Sequence, residues 1–256
     1  MHINRKWFHF YRDEVPNWIC PSCNSDSLNL KDDDLWVYES GETTNSKSME
    51  WFDVDYVRYR FSATLKCANL RCNEVVAVIG AGEVETDHIP NEEGKWAINY
   101  RDCFTPRFFE PCLIPISIPE NTSANVIKAL FAAFSIIFSN RDAAANQLRL
   151  SIEVLLDDMG VKARDKNGGF LNLGVRINDH LSEDFRLLKF KDRLSAIQWI
   201  GNDGSHGNGA ISHADLLAGL EIIESLLVEL YPSPGADLDE LARQMIDKKK
   251  PKRGIR

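Results

Sequence analysis

No stretch of this 256-residue chain approaches the ~18 uncharged apolar residues that a membrane-spanning helix needs. The first residues, MHINRKWFHFYRDE, are too charged and too aromatic to be the apolar core of a signal peptide. Apolar residues make up 44% of the sequence, as in ordinary globular proteins, which excludes wholesale disorder. These features predict a cytoplasmic protein that does not associate with membranes.

Basic residues are scarce outside the end of the chain. The formal net charge is −8, which argues against binding of a nucleic-acid backbone by the surface as a whole. Six basic residues lie in the final segment, KKKPKRGIR, so the rest of the chain is more acidic than the total suggests. We interpret this tail as a solubilising extension rather than as a contact for nucleic acid or for a partner.

Cysteine is sparse too, but four of the six cysteines form two close pairs, Cys20 with Cys23 and Cys67 with Cys72. Four thiolates in two such pairs can complete a tetrahedral zinc site, whereas the alternative is a set of buried, reduced thiols. Disulfides are not expected in a reducing compartment. The sequence therefore predicts a structural Zn²⁺ held by these four residues. Cys103 and Cys112 lack a close partner and are expected to lie in the core.

Short strand-like runs surround the two cysteine pairs, and this order is typical of a zinc ribbon. The predicted fold class is therefore α+β, with a small zinc-ribbon β domain over residues 1–115. Acidic residues offset the basic ones near the pairs, which favours a structural clip over a nucleic-acid contact. A proline-rich segment, FFEPCLIPISIP, follows, and we expect it to form an extended strap at the domain boundary.

Beyond the strap, the apolar residues recur with helical spacing, and this pattern predicts a helical bundle over residues 116–232. Gly160 is suited to end one helix, and Ser212 with Asp215 resembles a capping box that begins the last one. Residues 233–256 are expected to form a short helix and then the basic, disordered tail.

The segment IQWIGNDGSHGNGAISHADLL is predicted to be a helix that ends at Gly201, a glycine-rich loop, and a new helix after Ser212. Polar residues of this loop, together with two residues one turn apart on an earlier helix, form the candidate binding cluster: Arg149, Glu153, Asn202, Ser205 and His206. One interpretation is a structural hydrogen-bond network that fixes helix register. The other makes His206, assisted by Asn202, a general acid/base or a phosphate contact.

Several motifs occur in a fixed order: CPSC, EPCLIPISIP, AANQLRLSIEVLLDDMGV, IGNDGSHG and a helix that ends in LVELY. In this order the chain resembles, over about residues 16–232, the bacterial domain-of-unknown-function family four-one-four-five. The resemblance implies a helical domain of the HEPN type. It also implies a role beside restriction enzymes and antiphage defence proteins, to which such domains are often attached.

HEPN ribonucleases carry an arginine that is separated from a histidine by four to six intervening residues, and two such motifs meet in a dimer. If His206 were that histidine, the arginine would fall at Trp199, Ile200 or Gly201, and none of these is an arginine. We therefore expect a zinc-stabilised interaction protein of bacterial defence or restriction, dimeric through its helices, that binds a protein partner or nucleic acid through its helical domain. The alternative is a metal-independent ribonuclease toxin that uses His206.

Overall fold

The amino-terminal half of the chain is an antiparallel sheet and the carboxyl-terminal half is helical. The structure is a computed structural model that describes residues 3–24, 27–90, 96–181, 185–206, 211–232 and 245–246. Its five strands are β1 (Phe10–Tyr11), β2 (Leu28–Glu39), β3 (Arg58–Cys67), β4 (Val75–Pro90) and β5 (Trp96–Glu110). They pair in the order β1-β5-β4-β3-β2, and every pairing is antiparallel.

The predicted fold class is wrong for the amino-terminal part, because a curled, half-barrel sheet takes the place of a small zinc ribbon. β4 alone has 16 residues and β5 has 15, far longer than the short apolar runs that suggested a ribbon. The alternation that marks a strand is interrupted in β2, where the pairing register shifts between Leu30 and Leu35. This irregularity hides the full length of the strand from a pattern-based prediction.

The inner face of the sheet is covered by aromatic side chains from the segment that precedes β2. The ring of Phe10 lies 5.5 Å from that of Trp18 and 5.2 Å from that of Phe104, and all three are buried. Phe109 of β5 in turn packs on Phe138 of the helical part, with 4.7 Å between ring centroids. The sheet and the helices therefore share one continuous apolar core.

The first part of the proline-rich segment belongs to the sheet rather than to a strap. β5 continues through Pro106 to Glu110, and Pro106 pairs with Gly80 at a register shift. A proline is tolerated there because β1 pairs with β5 only at Phe104 and Cys103, so that no neighbour on that side needs the missing N–H. The extended segment begins only after Glu110.

The helices are α1 (Gly41–Ser46), α2 (Ala124–Phe134), α3 (Arg141–Asp158), α4 (Leu173–Val175), α5 (Phe185–Leu188), α6 (Lys191–His206) and α7 (His213–Leu230). A π-helical turn at Arg176–His180 follows α4. The predicted capping box of Ser212 and Asp215 is present at the start of α7. Gly160 has φ 77°, in agreement with its predicted place after a helix end. In the described part of the chain, no helix is both long and apolar enough to cross a membrane.

The prediction that a helix ends at Gly201 is wrong, because α6 continues to His206. The two glycines of this stretch lie against α3 instead of forming a loop. A Cβ at Gly201 would clash with the side chain of Arg149, and one at Gly204 would stand 2.5 Å from the carbonyl oxygen of Asp142. Close packing on α3 thus explains these glycines better than a loop does.

Candidate functional site

The four cysteines predicted to bind zinc come together in one cluster. Their sulfur atoms all lie within 4.8 Å of one another. The Cys23 and Cys67 sulfurs are 3.6 Å apart, and those of Cys20 and Cys72 are 3.8 Å apart. A tetrahedral Zn²⁺ with Zn–S bonds of ~2.3 Å requires sulfur separations of ~3.8 Å. These two separations are close to the tetrahedral value, so the four sulfurs could hold a metal ion.

Each half of the cluster is shaped by an asparagine that directly follows a cysteine. Asn24 after Cys23 has φ 52°, and Asn73 after Cys72 has φ 53°. Asparagine is one of the few non-glycine residues that enter this left-handed region at low cost. The repeated CN dipeptide is therefore a sequence signal for two matching turns, which the spacing of the cysteines alone did not reveal.

The cluster joins distant parts of the sheet. Cys20 and Cys23 lie before β2, whereas Cys67 ends β3 and Cys72 lies in the turn before β4. Cys20 and Cys67 are buried, and burial together with the neighbouring thiols raises the pKa of Cys67 to about 12. The thiols would have to lose their protons to bind a metal. Four protein ligands leave no open coordination position, so the arrangement suits a structural metal rather than a catalytic one.

The predicted binding cluster is only partly within the described side chains. Arg149 donates to Glu153 at 2.6 Å and to Asn146 at 3.1 Å, all along α3. Asn202 is half-buried on the facing helix and makes no hydrogen bond to Arg149 in the part of the chain that the structure describes. The side chains of Ser205 and His206 lie outside the described residues. That the five residues form one cluster stays a prediction.

A buried arginine that the sequence did not suggest lies beside this region. Arg176 is only 3% exposed. Its guanidinium donates to the Asp157 carboxylate at 2.6 Å and to the carbonyl oxygens of Glu153 and Val161. These acceptors lie at or just beyond the carboxyl end of α3, where a cation is favoured by the helix dipole. Arg176 therefore secures that helix end.

A cavity of about 480 Å³, which we call the junction cavity, lies between the sheet and the helices. Its lining comes from residues 8–9, from positions 83, 85, 103, 105 and 107 of the sheet, and from residues 138–142 and 213 of the helical part. α3 and α7 both begin at this cavity, at Arg141 and His213. The capping box of α7 was predicted, but the convergence of the two helices on one cavity was not, since it depends on how the two parts pack.

The helical wall of the junction cavity holds Arg141 beside His213. An Nη atom of Arg141 lies 3.0 Å and 3.1 Å from the two ring nitrogens of His213. The ring of Phe8 covers His213 with 4.2 Å between centroids. Burial, then the charges of Arg141, His9 and Arg5, lower the pKa of His213 below its usual 6.5. His213 is therefore mostly neutral at neutral pH, and Arg141 supplies the charge.

The sheet wall of the cavity is acidic. The Tyr11 hydroxyl donates to the Glu85 carboxylate at 2.7 Å, and this bond lowers the pKa of Glu85 and raises that of Tyr11. Burial, together with the nearby Glu85, raises the pKa of Cys103 to about 12. Cys103 is thus a protonated thiol at neutral pH and is no candidate for nucleophilic chemistry.

The outer face of the sheet exposes a row of large side chains, one on each of three strands. Trp36 of β2 pairs with Ser62, which pairs with Ile79 of β4, which in turn pairs with Phe108 of β5. Trp36, Ile79 and Phe108 are 56%, 51% and 49% exposed.

Two more exposed residues adjoin this row, because Tyr38 pairs with Arg60 on the next strand. We call the five residues the outer strip: Trp36, Tyr38, Arg60, Ile79 and Phe108. Three strand spacings separate Trp36 from Phe108, a distance of ~14 Å. A contiguous exposed patch of this kind is typical of an interaction surface.

Comparison with known families supports part of these predictions. Residues 131–250 match the model of a family described as Domain of unknown function (DUF4145). This match supports the family that the helical motifs predicted. Residues 8–109 match a separate family, described as Domain of unknown function (DUF8608), so the predicted resemblance does not extend over the sheet as one family. Searches of curated proteins and of solved structures give no significant match.

Proposed function

We propose that the protein is a zinc-stabilised, non-catalytic binding protein of bacterial defence or restriction systems, and that its sheet binds single-stranded nucleic acid. The observation that carries the proposal is the outer strip. Aromatic side chains presented side by side on a sheet provide stacking surfaces for unpaired bases, and stacking tolerates any base sequence. The setting in defence rests on the resemblance stated from the sequence, that such helical domains occur beside restriction and antiphage proteins, and it stays a prediction.

The metal in this proposal is Zn²⁺, because four thiolates at tetrahedral separations are the donor set that structural zinc prefers. The cluster holds the segment before β2 against the turn between β3 and β4. Zinc would thereby stabilise the curvature of the sheet that carries the outer strip.

Few cations near the outer strip are available to bind the phosphates of a nucleic acid. Lys66 lies 3.7 Å from Asp34, and Arg58 lies 3.7 Å from Glu83, so these cations are partly neutralised. Arg60 is the one cation among the strip residues, so it is the one that can pair with a phosphate charge. Affinity would therefore come mainly from stacking, and it would fall only slightly with salt, with a logarithmic slope of about −0.7 for one phosphate contact.

The proposal is tested by fluorescence anisotropy with labelled single-stranded RNA and DNA on the order of 12 nucleotides long. Trp36→Ala is expected to weaken binding by about 1–3 kcal/mol, since it removes one stacking surface. Trp199→Ala is the matched control, because Trp199 is 66% exposed on α6, away from the sheet. Equal affinity of Trp36→Ala and the unchanged protein would contradict the proposal, as would equal binding of duplexes.

The same samples test the alternative that the sequence left open. The RNA is expected to remain intact after incubation with the protein. Metal-independent cleavage that disappears in a His206→Ala variant would show instead that the protein is a ribonuclease. Dimerisation through the helices and a cytoplasmic location are further parts of this proposal, and light scattering of the purified protein tests the first of them.

A further inference from the structure

The lining of the junction cavity includes no residue of the zinc cluster and no residue of the outer strip. The proposed function therefore does not use this cavity. Its helical wall carries the charged Arg141 and the neutral His213, and His9 and Arg107 lie at the same cavity. In the described part of the chain, no carboxylate forms an ion pair with Arg141 or Arg107.

The three carboxylates at the cavity have hydrogen-bond or ion-pair partners other than Arg141 and Arg107. Asp142 accepts from the backbone N–H of Ile211 at 2.7 Å. Glu85 accepts from the hydroxyl of Tyr11, and Glu83 lies beside Arg58. The guanidinium of Arg141 has five N–H donors and no acceptor, so its contact with the neutral His213 ring leaves several of these donors available. Such an environment favours an oxyanion, which can accept charge-assisted hydrogen bonds from Arg141.

The volume of the cavity and the carboxylates of its sheet wall indicate which class of ligand could bind. About 480 Å³ lies within the range of small-molecule sites and exceeds what an inorganic anion fills. Each carboxylate of the sheet wall retains lone pairs that can accept from hydroxyl or amino groups. The complementary molecule carries an oxyanion at one end and hydrogen-bond donors at the other. We propose that the junction cavity binds a nucleoside 5′-phosphate, either as a free nucleotide or as the phosphorylated end of an oligonucleotide.

Calorimetric titration of the intact, metal-loaded protein tests this proposal. The probes are adenosine and uridine 5′-monophosphates, the two nucleosides, and oligonucleotides with a 5′-phosphate or a 5′-hydroxyl. At least one phosphorylated probe is expected to bind more tightly than its unphosphorylated counterpart. Binding of the mononucleotides identifies a free nucleotide as the source, whereas binding of only the phosphorylated oligonucleotide identifies a nucleic-acid end.

Substitutions of the cavity arginines test whether the phosphorylated probe binds at the junction cavity. Arg141→Gln is expected to weaken binding of the phosphorylated probe about tenfold or more, because a charge-assisted hydrogen bond is lost. Arg164→Gln is the matched control, since Arg164 is exposed beyond the far end of α3. If Arg141→Gln does not fold, as judged by circular dichroism, Arg107→Gln takes its place, because Arg107 is exposed.

Three results would overturn the proposal: no phosphorylated probe binds, nucleosides bind as tightly as nucleotides, or the arginine variant that folds binds like the unchanged protein. The outcome is separable from that of the outer strip. Trp36→Ala is expected to leave mononucleotide binding unchanged. Arg141→Gln is expected to leave binding of 5′-hydroxyl oligonucleotides unchanged.

Discussion

Gly204 of α6 packs directly against the backbone of Asp142 on α3, so that a Cβ at position 204 would stand 2.5 Å from the Asp142 carbonyl oxygen. The carboxylate of the same aspartate accepts from Ile211, two residues before α7. Asp142 therefore holds α6 through its backbone and the start of α7 through its side chain. The helical wall of the junction cavity depends on this contact.

Replacing Gly204 by alanine is expected to destabilise the fold by about 1–3 kcal/mol, because the methyl group overpacks the contact between α3 and α6. Alanine has a higher helix propensity than glycine by up to about 1 kcal/mol, and we expect the cost of overpacking to exceed this gain. The measurement is the free energy of unfolding in urea. Gly41→Ala is the control, since nothing lies within 4 Å of its Cβ position, and its effect should stay within about 0.5 kcal/mol. Equal effects of the two substitutions would show that α3 and α6 are not in close contact.

The cysteine cluster is expected to hold about one zinc atom per chain, as four thiolate ligands imply. Cys67→Ser should abolish zinc binding and lower the free energy of unfolding by about 4 kcal/mol or more, since it removes a buried ligand of a structural metal. Elemental analysis and urea unfolding measure the two effects.

Cys112→Ser is the matched control for the zinc prediction, because Cys112 is half-buried and lies outside the cluster. It should keep the zinc content of the unchanged protein. A folded protein that is purified without metal, and whose stability does not change when zinc is added, would contradict this prediction.

Acidification is expected to destabilise the protein through His213. Burial and the charges of Arg141, His9 and Arg5 lower the pKa of His213 in the folded protein below 6.5. As the pH falls through 6.5, His213 is therefore protonated in the unfolded chain before it is protonated in the folded protein. The free energy of unfolding decreases over this range, until the pH falls below the pKa of His213 in the folded protein. Above pH 6.5 both forms are neutral and the contribution vanishes.

His213→Gln removes this proton and serves as the comparison for the pH effect. Urea unfolding on both sides of pH 6.5 should show that the unchanged protein loses more stability on acidification than the variant. Parallel losses in the two proteins would mean that His213 is not shielded from protonation.

Local signals were sufficient to predict the cysteine cluster and the helix caps. The pairs at Cys20 and Cys67 and the capping box at Ser212 are each read within a few residues. The strands were harder to predict, because Asp32 to Asp34 and Pro106 interrupt the alternation exactly where the pairing register shifts, so that β2 and β5 look shorter than they are.

The continuation of α6 and the junction cavity could not be predicted, because both depend on long-range packing. Gly201 and Gly204 favour a loop by propensity. They occur in a helix here because α3 lies so close that a side chain at either position would clash with it. Arg107 and Arg141 lie more than thirty positions apart on a strand and a helix, and nothing in their local sequence indicates that they share a cavity.

Photo-crosslinking of the protein to single-stranded RNA, followed by mass spectrometry of the crosslinked peptides, tests whether unpaired bases stack on the outer strip. The crosslinks are expected at Trp36, Tyr38 or Phe108. Crosslinks confined to the helical part or to the basic tail would contradict the claim.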